Sequence, residues 1–193
     1  DRERIRVRGI EKMGRKSVDS NELFFEDFQI PEEDLIGEEG EGFGYILQGM
    51  NPERILIAAE AVGLGMCALK KATQYAQERV VFNRPIGQKQ AIQHPLAKNW
   101  CALEAAWLMI MKAAALYDSG KPCGAEANAA KYLAGEAGFE ACQQSIMTHG
   151  GFGYAKEYHV ERYLREVMIP RIAPISPQLV LSYIAERVLD LPK

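Results

Sequence analysis

The chain has 193 residues, 23 basic and 26 acidic side chains and a formal charge of −3, with 48% apolar and 25% charged residues. This is the balance of an ordinary globular protein, long enough to bury a core without staples, and it excludes collagen-like, disordered and disulfide-framework classes. No basic excess is present to neutralise phosphates, which argues against a nucleic-acid binder, and no uninterrupted apolar run reaches the ~20 residues of a membrane span.

Residues 1–36 alternate and turn often. Ile5-Arg6-Val7-Arg8 and Leu23-Phe24-Phe25-Glu26-Asp27-Phe28 carry the period of two expected of short β-strands, about three of them. So few strands leave open edges, which predicts that the segment belongs to a larger sheet. The start at Asp1, without a methionine, in strand-like text reads as a piece of a longer protein. The texture changes near residue 40, and the rest of the chain reads as helical. Ile55, Ala58, Ala59, Val62, Met66, Leu69 and Ala72 recur at spacings of three and four. Asn51 and Pro52 predict the start of that helix, and the Phe82–Gly87 stretch comes just after its end near Val80. A second helix is expected over 89–117 and a third from Pro122 to His149. A loop at 150–154, a helix over 157–168, an extended connector through Pro170, Pro174 and Pro177, and a last helix over 178–189 complete the reading. Long helices with short connections predict an antiparallel bundle, so the fold class is mainly α, preceded by a few strands.

Four cysteines and three histidines lie scattered. No pair has metal-ligand spacing, so no metal site is expected, and the thiols read as reduced ones in a reducing compartment. Arg79, at a helix end before a Gly/Pro loop, suits either a phosphate grip or a plain helix C-terminus. Gly150-Gly151-Phe152-Gly153-Tyr154 is not a dinucleotide-binding fingerprint, because no strand precedes it. Its glycines mean close approach of something bulky or a sharp turn. Glu53 reads either as an acid complementing a helix N-terminus or as a general base.

Taken in order, Phe24-Phe25-Glu26-Asp27-Phe28-Gln29-Ile30-Pro31, Leu35–Phe43, Arg54, Glu78-Arg79-Val80-Val81-Phe82, Gln90-Ala91-Ile92-Gln93, Gly150–Tyr154 and Arg162–Glu166 closely resemble the acyl-CoA dehydrogenase family over essentially the whole chain. The resemblance implies that residues 1–38 are the end of a middle β-domain and residues 39–193 a C-terminal helical bundle. It further implies an FAD-dependent oxidation of an acyl-CoA thioester to its trans-2-enoyl-CoA, with electrons passed to an electron-transfer flavoprotein. A homo-oligomer (dimer or tetramer) in the bacterial cytoplasm or the mitochondrial matrix goes with it, and the 193 residues alone are expected to be inactive.

Carried over by position, the resemblance places Arg79, Phe82, Ile86, Gln90, Met147, Gly150, Gly151, Ser176 and Gln178 at the cofactor, Met147 standing where relatives often carry Gln. It places Met50, Arg54, Ala173 and Ile175 at the substrate. Many members carry their catalytic glutamate where this chain has Pro174, and proline cannot abstract a proton. A branch that includes isovaleryl- and long-chain-type enzymes carries it instead just before the substrate-site arginine, which is Glu53 here. Two alternatives accompany this expectation: a catalytically inactive scaffold or assembly protein of the same fold, and a flavin acyl-CoA oxidase-like enzyme. Acyl chain length and branching do not follow from the sequence.

Overall fold

A computed structural model of the chain describes residues 4–192. Its contacts divide it into two units, one up to Gln48 and one from Gly49 on.

In the first unit, β1 (Ile5–Gly9) runs antiparallel to β2 (Asn21–Phe25), with Ile5 opposite Phe25, Val7 opposite Leu23 and Gly9 opposite Asn21. Arg8 pairs with Glu22 at 2.6 Å and the Arg6 guanidinium lies over the Phe24 ring. These are the only strands among the described residues of this unit, against the three or so expected. The later apolar residues Ile30, Leu35 and Ile36 flank a 3-10 turn at Glu32–Asp34 instead. Val7, Leu23 and Phe25 are more than half exposed, as expected of an isolated two-stranded ribbon.

The helical text resolves into α1 (Gly42–Glu78), α2 (Gln90–Asp118), α3 (Gly124–His149), α4 (Gly151–Tyr154), α5 (Val160–Ile172) and α6 (Pro177–Arg187). Between α1 and α2 lies a small hairpin of β3 (Val80–Val81) and β4 (Arg84–Pro85). Its two-residue turn, Phe82-Asn83, has φ +54 and +61, the left-handed pair that matches strand twist. The second unit holds α1 from Gly49 on and everything after it.

α3 is the central helix. Ala127, Ala130, Ala134, Ala137 and Ala141 face Ile55, Ala58, Ala61, Val62 and Leu69 of α1, and Leu103, Ala106, Ile110 and Ala113 of α2. Small residues let these backbones approach. A side chain at Gly138 would stand 2.5 Å from the Ala61 carbonyl oxygen, and Gly65 faces Leu103. Cross-links fix the directions. Lys98 pairs with Glu140 and Lys112 with Glu126, so α2 and α3 are antiparallel. Ser145 donates to the Ala68 carbonyl at 3.0 Å, and with the Ala61–Gly138 contact this makes α1 and α3 parallel. α5 and α6 cover the other side of α3, with Val167 buried against Ala68 and Cys142.

Four expectations need correcting. Helix α1 does not start at Asn51: it begins at Gly42 and carries Pro52 in its interior. Proline removes one helical hydrogen bond and its ring crowds the carbonyl four residues back, so it sits inside a long helix only at a cost; the weak helix formers Gly42, Gly44 and Gly49 mask the true start. Glu53 is therefore not in a first turn, and the helix-dipole account of it falls. Likewise α5 continues through Pro170 to Ile172, and residues 151–154 form a one-turn helix rather than a loop. Finally, two stretches, Gln90–Asp118 and Val160–Arg187, do reach the length and mean hydropathy (1.2) of a membrane span. The first buries Leu103, Ala106, Ile110 and Ala113 in the bundle, and the second is two helices separated at residues 173–176.

Candidate functional site

The end of α1, the β3–β4 hairpin and the α3–α4 junction enclose a groove of about 600 Å³. Arg79, Val81 and Ile86 line one side, and Thr148, His149, Gly150 and Gly151 the other, with Tyr75, Phe152 and Ala155 completing the wall. The hairpin folds because the chain must reverse soon after the end of α1, and its base is closed by Ile86 N–H donating to the Arg79 carbonyl at 2.9 Å. Gly150 turns the chain out of α3 at φ +61, ψ −134, a region essentially closed to residues with a Cβ. Gly153 is equally constrained, since a side chain there would lie 2.5 Å from the Ile146 carbonyl oxygen. The α3–α4 reversal is thus built from glycines, and Gly151 meets nothing within 4 Å, leaving open space above it.

Electrostatically the groove is cationic and aromatic. The Arg79 side chain is exposed, lies 6.0 Å from the Phe152 ring centre and has no anionic partner among the described residues. His149 is buried, with Nδ1 2.7 Å from the Ser145 carbonyl oxygen. A carbonyl only accepts, so Nδ1 carries the proton. The ring stacks on Tyr75 at 4.4 Å, with Tyr158 edge-on at 5.3 Å. Burial holds the imidazole below its ordinary pKa, against the Ser145 carbonyl and with help from Lys71. A free guanidinium, an open glycine backbone and flat aromatic walls suit a phosphorylated, ring-bearing ligand.

Four of the cofactor-side residues singled out in the sequence, Arg79, Ile86, Gly150 and Gly151, meet in this groove. Phe82, at the hairpin tip, is 85% exposed with Lys89 over its ring. Gln90 opens α2 and Met147 points outward from α3, both exposed and outside the groove. Phe152 enters the groove with the glycine motif it belongs to. Tyr75, Thr148 and His149 are further members that no local signal marks, since distant partners bring them there.

The remaining residues lie elsewhere in the second unit. Met50 and Arg54 are half-buried and Glu53 is exposed. Arg54 donates to Asn51 Oδ1 at 2.9 Å, while its Nε is buried without a hydrogen-bond partner. Burial lowers its pKa, partly offset by Tyr183. Ala173 and Ile175 are half-buried in the connector between α5 and α6. Ser176 caps α6, its Oγ accepting from Leu179 N–H at 3.3 Å, and Gln178 is exposed in the first turn.

Known proteins share this architecture. The family model "Acyl-CoA dehydrogenase, C-terminal domain" matches residues 40–189. The chain is 42% identical over 174 residues to acyl-CoA dehydrogenase FadE12 of Mycobacterium tuberculosis, covering 89% of this chain and 45% of that protein. It is 39% identical over 179 residues to the probable acyl-CoA dehydrogenase YngJ of Bacillus subtilis, covering 93% and 47%. Among solved structures, butyryl-CoA dehydrogenase from Megasphaera elsdenii superposes with a TM-score of 0.92 at 32% identity, over 96% of this chain and 49% of that one. A glutaryl-coenzyme A dehydrogenase–glutaryl-CoA complex does so with a TM-score of 0.93 at 32% identity, over 98% and 48%. The chain spans about half the length of the relatives it matches.

Proposed function

The chain belongs to the acyl-CoA dehydrogenase family, and we propose that it is the helical C-terminal part of an FAD-dependent acyl-CoA dehydrogenase acting on an acyl-CoA thioester. The observation that carries this reading is the convergence of Arg79, Ile86, Gly150 and Gly151 on one groove. The residues present fit the cofactor. Arg79 offers an unpaired fork of donors to a diphosphate, and the backbone at Gly150-Gly151 is bare enough for close approach. When bound, the flavin would accept a hydride from the substrate's β-carbon.

The protein's own part is to place the substrate and take a proton from its α-carbon. Glu53 is the base in this proposal, since Pro174 has no acidic group. A carboxylate performs that task once water is excluded and its pKa raised. Glu53 is exposed among these residues, so the water-excluding cover is assigned to other parts of the enzyme. Arg54, directly after it and half-buried, is assigned the task of orienting the acyl-CoA, and Met50, Ala173 and Ile175 are assigned to the acyl pocket. Phe82, Gln90, Met147, Ser176 and Gln178 are assigned further flavin contacts. An electron-transfer flavoprotein as acceptor, a homo-oligomeric assembly and a bacterial cytoplasmic location, in keeping with the bacterial relatives, complete the reading.

The test is Glu53→Gln in the holoenzyme. Rapid-mixing reduction of the flavin by acyl-CoA should slow by about 10²–10⁴-fold, the usual weight of a general base, with the visible flavin spectrum unchanged. Reduction at the wild-type rate removes Glu53 from the role, and a colourless purified protein removes the enzyme.

A further inference from the structure

Away from the groove, α3 buries an ammonium group. Lys131 is 1% exposed, although lysine is almost never fully buried unless paired. Its Nζ donates to the Arg171 carbonyl at 2.7 Å. Burial lowers its pKa, with Glu136 opposing and Arg54 reinforcing the shift.

The acceptor lies in the last turn of α5, where carbonyls lack partners within the helix. The Ile169 carbonyl still receives Ala173 N–H at 2.8 Å. The next donor, residue 174, is a proline without an N–H, and the helix ends at Ile172, before residue 175 could serve the Arg171 carbonyl. Lys131 satisfies the Arg171 carbonyl from outside. The same face of α3 holds Arg171 in three further ways. The Glu136 carboxylate accepts two guanidinium N–H groups, both at 2.9 Å. The guanidinium lies 4.3 Å from the centre of the Phe139 ring. Gly135 lets the backbones touch, since a side chain there would stand 3.2 Å from Arg171 Cα. Every one of these contacts falls on the residue two places before Ala173, where the connector to Ser176 and α6 begins.

We infer that Lys131 is a positioning residue, which with Glu136 anchors the end of α5 through Arg171 and thereby sets the place of residues 173–178 in the substrate and cofactor site. The anchoring stands on the contacts alone; its consequence for the site rests on the function proposed above.

Hydrogen–deuterium exchange of the full chain, read by mass spectrometry, tests the anchoring. In Lys131→Met, amides of residues 172–180 should exchange about tenfold faster, the loss expected of one charge-assisted hydrogen bond, while peptides from the middles of α1 and α2 keep wild-type protection. Glu136→Gln should loosen the same segment more weakly. Equal loss of protection throughout the chain, or no change at 172–180, overturns the anchoring. If Lys131→Met does not fold, Glu136→Gln decides alone: local loosening supports the anchoring and wild-type exchange overturns it. In the holoenzyme, Lys131→Met should raise KM for acyl-CoA severalfold more than it changes kcat. Local loosening with KM and flavin affinity unchanged would overturn the placement of 173–178 in the site while leaving the anchor intact.

Discussion

His149 shows how a single buried side chain makes the fold answer to pH. Its folded pKa lies below the ordinary value because the ring is packed beneath Tyr75 and Tyr158. As pH falls below about 6.5, the unfolded chain takes up this proton before the folded one does, so the stability present at neutral pH is progressively lost. Urea midpoints taken between about pH 5.5 and 7.5 should decline on the acid side, and His149→Gln should flatten that decline. Neither His149 nor Lys131 is visible from the sequence as a special residue. Each occupies a helical position whose burial is decided by partners far along the chain, Tyr75 in one case and Arg171 in the other. Arg79, Gly150 and Gly151 are visible, because an arginine and glycines at a helix end are marked by local chemistry. The finer neighbours Phe82, Gln90 and Met147 lie outside the groove that those residues share.

Between elements, the decisive contact is the approach of α1 to α3. Ala61 and Gly138 bring the two helices so close that a methyl group has no room. Gly138→Ala should cost about 1–3 kcal/mol through overpacking, although alanine favours an isolated helix by nearly 1 kcal/mol. Chemical denaturation with an unchanged m-value would show it, and a neutral or stabilising result would mean that the helices slide apart freely. Helix ends are the least legible part of this level. The ends of α2 and α3 follow from Asp118-Ser119-Gly120 and Gly150, whose chemistry stops a helix locally. The start of α1 and the end of α5 do not, because Pro52 and Pro170 look like boundaries but lie inside helices that run through them.

At the scale of the whole molecule, the second unit leaves one helix face uncovered. Trp100, Trp107, Leu108 and Met111 of α2 fall on a single stripe and are 54, 41, 69 and 50% exposed. Large apolar side chains exposed together on one helix face, here with Glu104 among them, are the usual makings of an interaction face. Sedimentation analysis of the chain should show self-association, and Leu108→Glu, a change at an exposed position, should shift it toward monomer with little effect on the thermal midpoint. A monomeric wild-type chain would contradict this. The mainly helical class and the sense of each helix are legible from periodicity and loop length.

The junction at Gly150 also bears on how this sequence can drift. Every single-nucleotide change to a glycine codon that alters the residue introduces a Cβ or a stop. With φ +61 and ψ −134 at that point, the position has no neutral neighbour one step away. The α3–α4 reversal thus admits no one-step replacement at Gly150 without a change in its backbone.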